Sequence, residues 1–142
     1  RDWPRAERSI VAGLLLAGAL SALLGLLLSW IAEPLTAAYT DDPGVRAVAV
    51  ALIGYVASYQ LFDAVQTVSA HALRGYRITF LPMLVHVGCF WGVGLLGGWW
   101  LAIGSAQPMG AAGFWLASVC SLLLAALLLG AVLWRTLQLV KR

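Results

Sequence analysis

Apolar and polar positions in this chain come in long blocks rather than in alternation. Apolar blocks cover about 9–30, with a weaker continuation toward Tyr39, then 45–73, 79–103 and 113–134. A helix needs about 20 apolar residues to cross a bilayer core of ~30 Å, and each block passes that test. Polar clusters and turn formers separate them. Pro34 and Asp41-Asp42-Pro43-Gly44 stand between the first two blocks, and Arg74-Gly75-Tyr76-Arg77 between the second and third. The segment 105–110, with Pro108 and Gly110, stands between the third and fourth. Proline removes a backbone donor, and Pro4, Pro34, Pro43, Pro82 and Pro108 all fall outside the blocks or at their ends. The pattern predicts an all-α integral membrane chain with four transmembrane helices.

Composition strengthens this reading. Hydrophobic residues make up 62% of the 142, and charged residues 11%. That is about half the charged share of a soluble domain. A water-soluble fold of this size has too little polar surface here to cover its apolar surface, so the lipid bilayer is the expected partner. The net charge of +3 is scattered at block ends, with no basic stripe to track a phosphate backbone, which excludes nucleic acid. Arg1, Arg5 and Arg8 precede the first block, Arg74 and Arg77 follow the second, and Arg135, Lys141 and Arg142 end the chain. With four alternating spans these groups share one side, and only Arg46 lies opposite. The distribution predicts a multi-pass protein of the inner (plasma) membrane with both ends of this chain cytoplasmic. Trp3, Trp30, Trp99, Trp100, Trp115 and Trp134 fall near block ends, at headgroup level. Trp91 lies mid-block, and its indole N–H is expected to face protein or water. Cys89 and Cys120 lie in apolar blocks without metal-ligand spacing and read as buried free thiols. The chain opens on Arg1 with the charged RDWPRAER, and its first block is too long for a signal-peptide core. A piece of a longer chain is the expectation.

Small residues repeat at helical spacing. Gly88/Gly92, Gly94/Gly98, Gly18/Ala22, Ser21/Gly25 and Gly54/Ser58 are each four apart. Membrane helices associate through such faces, and ordinary packing explains them as well as a flexible, rocking helix does.

Chemistry concentrates in the second block. Asp63 is the one carboxylate deep in any span, about 15 Å from the cytoplasmic end at ~1.5 Å per residue. An aspartate near the midplane costs ~2.5–3.5 kcal/mol on insertion scales, so it is rarely kept without a partner or a role. A carboxylate held there can take up a proton or a hard cation such as Na+ and release it, since oxygen ligands suit such ions. Tyr59 at i−4, Gln60 at i−3, Gln66 at i+3 and Thr67 at i+4 form a polar stripe with it. Leu61, Ala64, Val65 and Val68 lie on the opposite side. One polar face reads as lining a cavity or a protein interior; a structural aspartate bonded to another helix is the alternative. His71 and His86 offer proton relays, or simply packing and hydrogen bonding. There is no P-loop, His/Cys metal cluster or nucleophile elbow, so no enzyme is expected and transport must run on an ion gradient or another subunit.

The string YQLFDAVQTVSAHALRGY, residues 59–76, resembles the tenth helix of the multidrug and toxic compound extrusion (MATE) family, and most closely its NorM-like branch. Residues 39–45 (YTDDPGV) resemble the outer loop before it. Pro82 and the segment from Trp91 to Trp99 resemble the eleventh helix, and residues 110–115 (GAAGFW) the start of the twelfth. The resemblance covers nearly the whole chain. It implies a twelve-helix antiporter of two six-helix lobes, with residues 1–142 the last part of the C-terminal lobe. It implies export of amphipathic or cationic small molecules in exchange for Na+ or H+ as coupling ion, with no other cofactor. It implies that Asp63 and Tyr59 belong to the cation site. Gln60, Gln66, Thr67 and His86 are candidate cavity residues beside it. A further acidic ligand belongs to the seventh helix, in the N-terminal remainder of such a transporter. The chain departs from the family pattern at Leu96, where a proline is frequent, at His71, where a small residue is usual, and at Trp99, where tyrosine is common. A lipid-linked sugar flippase of the same superfamily and a small self-contained four-helix membrane protein are the competing expectations.

Overall fold

The computed structural model describes residues 3–140. Arg1, Lys141 and Arg142 of the charge count, and the Trp3 indole, lie outside what it describes. Four helices account for nearly all of it: α1 (Trp3–Ala37), α2 (Pro43–Gly75), α3 (Phe80–Gly104) and α4 (Ala111–Val140). All four are long and apolar enough to cross a membrane.

The helices outrun the apolar blocks because the two features have different causes. An apolar block marks where the chain meets hydrocarbon; a helix continues as long as its backbone bonds are satisfied. α1 therefore begins at Trp3 and ends at Ala37, and α4 runs to Val140. Pro34, expected to stand between spans, lies inside the last turn of α1. A proline so near a C-terminus removes one backbone bond without breaking what precedes it. The helix end then closes through Ala38 N–H to the Pro34 carbonyl, at 3.2 Å.

The connections follow from local chemistry. Asp42 caps α2, its Oδ1 accepting from the Gly44 and Val45 amides at 2.7 and 3.2 Å, and Pro43 takes the first helical turn. Arg74 and Gly75, expected in the loop, complete the last turn of α2 instead. The turn is made by Arg77 at φ 62, with Arg77 N–H on the Arg74 carbonyl and Ile78 N–H on the Leu73 carbonyl. This is a Schellman closure with arginine where glycine is usual. Between α3 and α4, Gly110 adopts φ +59, and its N–H reaches the Ala102 carbonyl at 3.2 Å.

α2 packs between α1 and α4, and α4 packs between α2 and α3. α4 is the centre: 39% of its most apolar stretch is buried, against 6%, 0% and 11% for α1, α2 and α3. Its buried positions Gly113, Ala117, Ser121, Ala125, Leu129 and Leu133 recur every four residues and form one face. Ala70 and Leu73 of α2 meet Leu129 and Leu133 of α4 in the main apolar cluster, with Ile10 and Leu14 of α1 against it.

Only some of the small-residue pairs pack. Gly94 and Gly98 face Ser121 and Phe114 of α4, and Gly25 approaches the Ala57 carbonyl of α2. A Cβ added at Gly18, Gly54, Gly88 or Gly92 would meet nothing from another helix within 4 Å. The Trp91 indole, expected to face protein or water, lies on the outside of this four-helix unit at 65% exposure. Cys89 is buried as expected, whereas Cys120 is exposed, because it sits off the packed face of α4.

α3 is not a regular α-helix. Gly88–Leu96 and Trp100–Gly104 are wound as π-helix, so that the Gly97 N–H reaches back to the Gly92 carbonyl. Such wide turns usually occur singly, and here they extend through a glycine-rich stretch.

Candidate functional site

α2 carries the site because one of its faces turns toward α3 and α4. Asp63 is half-buried, as are Tyr59, Gln60 and Thr67, while Gln66 is buried at 6% exposure. The Gln66 Nε2 donates to Asp63 Oδ1 at 3.0 Å and to Thr67 Oγ1 at 2.9 Å. From α3, the His86 Nε2 donates to Gln66 Oε1 at 2.6 Å. The His86 ring stacks on Phe90, one turn along α3, with centroids 5.3 Å apart and planes 23° apart.

Tyr59 leads away from this network toward α4. Its ring meets Trp115 edge-on, with centroids 6.3 Å apart and planes at 79°. It also lines an open cleft of about 270 Å³ between α2, α3 and α4, with Phe90, Gly94, Phe114, Ser118 and Ser121. The cleft walls are mostly apolar, with Tyr59, Ser118 and Ser121 among them, a lining suited to amphipathic rather than strongly hydrated molecules.

Of the residues singled out in the sequence, four are joined by hydrogen bonds: Asp63, Gln66, Thr67 and His86. Tyr59 is joined to the cleft. Gln60 has no hydrogen bond among the described residues. His71 stands apart: it is exposed, and its Nδ1 donates to the Thr67 carbonyl of its own helix at 2.8 Å. Two aromatic contributions were missed. Phe90, four residues after His86, was open to helical spacing. Trp115 lies on another helix, and nothing in its local sequence points to Tyr59.

The electrostatics leave Asp63 available. No Lys or Arg among the described residues lies within ion-pair range of it. Its partner is a neutral amide, which steadies Oδ1 without cancelling the charge. A carboxylate in this state accepts a proton or a hard cation. Among the described residues no three His, Cys, Asp or Glu side chains gather to hold an ion.

Comparison with known proteins decides the family. The MatE family model matches residues 1–100, which include α2 with Asp63 and most of α3. The chain belongs to the MatE family. This is a family of twelve-helix membrane transporters, and the four membrane-length helices make this MatE chain a multi-pass membrane protein. It is 51% identical over 134 residues to a "Probable multidrug resistance protein NorM" of Aromatoleum aromaticum, covering 92% of this chain and 29% of that protein. It is 36% identical over 129 residues to a protein of the same name from Neisseria meningitidis serogroup B, covering 91% of this chain and 28% of that one. It is 39% identical over 133 residues to "Multidrug resistance protein PmpM" of Pseudomonas aeruginosa, covering 89% and 27%. The MatE chain thus spans under a third of the length of these relatives.

Proposed function

We propose that this MatE chain supplies the last four helices of a multidrug efflux transporter, and that Asp63 exchanges the coupling cation, Na+ or H+. The observation that carries the reading is the state of Asp63. It sits mid-helix in a membrane span, has no basic partner among the described residues, and is steadied by a neutral amide. Such a charge is expensive to keep in a membrane and is suited to repeated loading and release. Tyr59, one turn away on the same helix, connects that position to the apolar cleft, where an amphipathic drug would lie. The relatives' names, which speak of multidrug resistance, support the substrate class. Coverage of 27–29% of each relative agrees with about a third of a twelve-helix protein.

The same reading places the protein in the inner membrane. The Arg5/Arg8 end of α1, the α2–α3 turn with Arg74 and Arg77, and the Arg135 end of α4 face the cytoplasm. Arg46, bonded to Asp41 at 3.2 Å, faces outward.

The test is Asp63→Asn in the full-length transporter. Asparagine keeps the shape and removes the charge. Cation-driven ethidium efflux is expected to be lost while membrane expression stays at the wild-type level. Undiminished cation-driven efflux in that variant overturns the proposal. Tyr59→Phe, which removes one oxygen and keeps the ring on Trp115, is expected to give a milder loss.

A further inference from the structure

The carboxamide of Gln66 makes three of the four hydrogen bonds open to it. Both N–H groups donate, to Asp63 Oδ1 and to Thr67 Oγ1, and Oε1 accepts from His86. The direction of this chain is dictated from one end. An ionised carboxylate accepts only, so the amide must turn its NH2 toward Asp63. Its oxygen then faces α3, and the ring nitrogen that meets it, Nε2 of His86, must carry hydrogen. An ionised Asp63 therefore sets the orientation of Gln66 and the tautomer of His86.

The position of this chain in the fold gives it a consequence. α2 and α3 are not principal packing partners, because α4 lies between them. The Gln66–His86 bond, at 2.6 Å and between residues 20 apart in sequence, crosses from one to the other. On α3 it lands on His86, two residues before the glycine-rich π-helical stretch Gly88–Leu96 begins. Phe90 inside that stretch stacks on the same ring. Hydrogen bonds to an ionised group are roughly twice as strong as those between neutral groups. A cation or proton on Asp63 competes with the amide for the carboxylate and weakens the end of the chain that holds everything else in place.

We propose that Gln66 is a positioning residue that ties Asp63 to α3 through His86, so that loading of Asp63 is felt by the irregular part of α3. This rests on Asp63 being the coupling carboxylate. Gln66 and His86 themselves need not touch the cation.

The experiment measures ethidium efflux by the full-length transporter in proteoliposomes. It varies the concentration of the driving cation, identified first with the wild type by a Na+ jump or a pH jump. The variants are Gln66→Leu, His86→Leu, the double variant, His86→Gln and Asp63→Asn. Each single leucine variant is expected to shift the half-saturating cation concentration about three- to tenfold, the scale of losing the one hydrogen bond that links Gln66 to His86, which both variants remove. The double variant is expected to be no worse than the worse single one, because both break the same chain. His86→Gln, which can still present an N–H to Gln66 Oε1, is expected to return within about twofold of wild type. Should Gln66→Leu fail to reach the membrane, His86→Leu against His86→Gln carries the test, since neither alters a side chain that touches Asp63. Unchanged half-saturation in the leucine variants, additive losses, or equal losses for His86→Gln and His86→Leu overturn the positioning role. If Asp63→Asn keeps its cation dependence, the proposed function itself fails, whatever the other variants do.

Discussion

At the scale of single residues, Ser69 and Asp63 make a contrast. Ser69 is 1% exposed, and its Oγ has no hydrogen-bond partner among the described residues. A buried donor left unmade costs about 1–3 kcal/mol. Removing it is therefore expected to do no harm. Ser69→Ala should leave the melting temperature of the purified transporter unchanged or raise it, with a gain of up to ~1 kcal/mol. Asp63 is half-buried and held at one oxygen, with its charge uncompensated. On the proposed function its value lies in coupling rather than stability, so Asp63→Asn is expected to spare folding and abolish coupling. Asp63 was legible in the sequence because a lone acid in an apolar block needs no structure to be noticed. The partners of Gln66 were not legible: a glutamine on a polar stripe has many possible acceptors, and only the approach of α3 selects His86.

At the scale of elements, packing separates glycines that look alike. A Cβ on Gly113 would lie 2.8 Å from the Ala102 nitrogen and 2.9 Å from the Leu101 carbonyl carbon. Those are backbone atoms of α3, which cannot step aside as a side chain can. Gly113→Ala is expected to force α3 and α4 apart and to lower stability by about 1–3 kcal/mol. Gly88→Ala meets open space in this four-helix unit and gains helix propensity of ~0.5–1 kcal/mol. Thermal melting of the two variants in detergent checks the pair, and equal behaviour would contradict the assigned faces. Four-residue spacing alone did not distinguish Gly88/Gly92 from Gly94/Gly98. Spacing states that two residues share a face; the rotation of α3 against α4 states which face is covered.

At the scale of the whole molecule, the order α1–α2–α4–α3 places α4 at the centre and leaves large apolar side chains outward on α1, among them Leu15, Leu16, Leu23, Leu26 and Trp30. That surface suits hydrocarbon or further helices. The proposed orientation is testable with single cysteines at Arg46 and Arg77, in a background where Cys89 and Cys120 are replaced by alanine. The Arg46→Cys thiol is expected to react with an impermeant maleimide added to intact cells. Arg77→Cys is expected to react only after permeabilisation. Reversed labelling would turn the topology over.

Read along the chain alone, the residues already revealed four membrane-length helices, their starts within several residues, one acid inside an apolar block, and the family that the chain resembles. Those properties are local: the bilayer imposes a run length and penalises a charge wherever the run is read. Tertiary structure alone decided that Gln66 is held from both sides, that Tyr59 rests on Trp115, that α3 winds irregularly, and that α4 rather than α2 is the central helix. Each of these depends on how far one helix is rotated and shifted against another. That setting comes from contacts between residues distant along the chain, and no single stretch of sequence contains it.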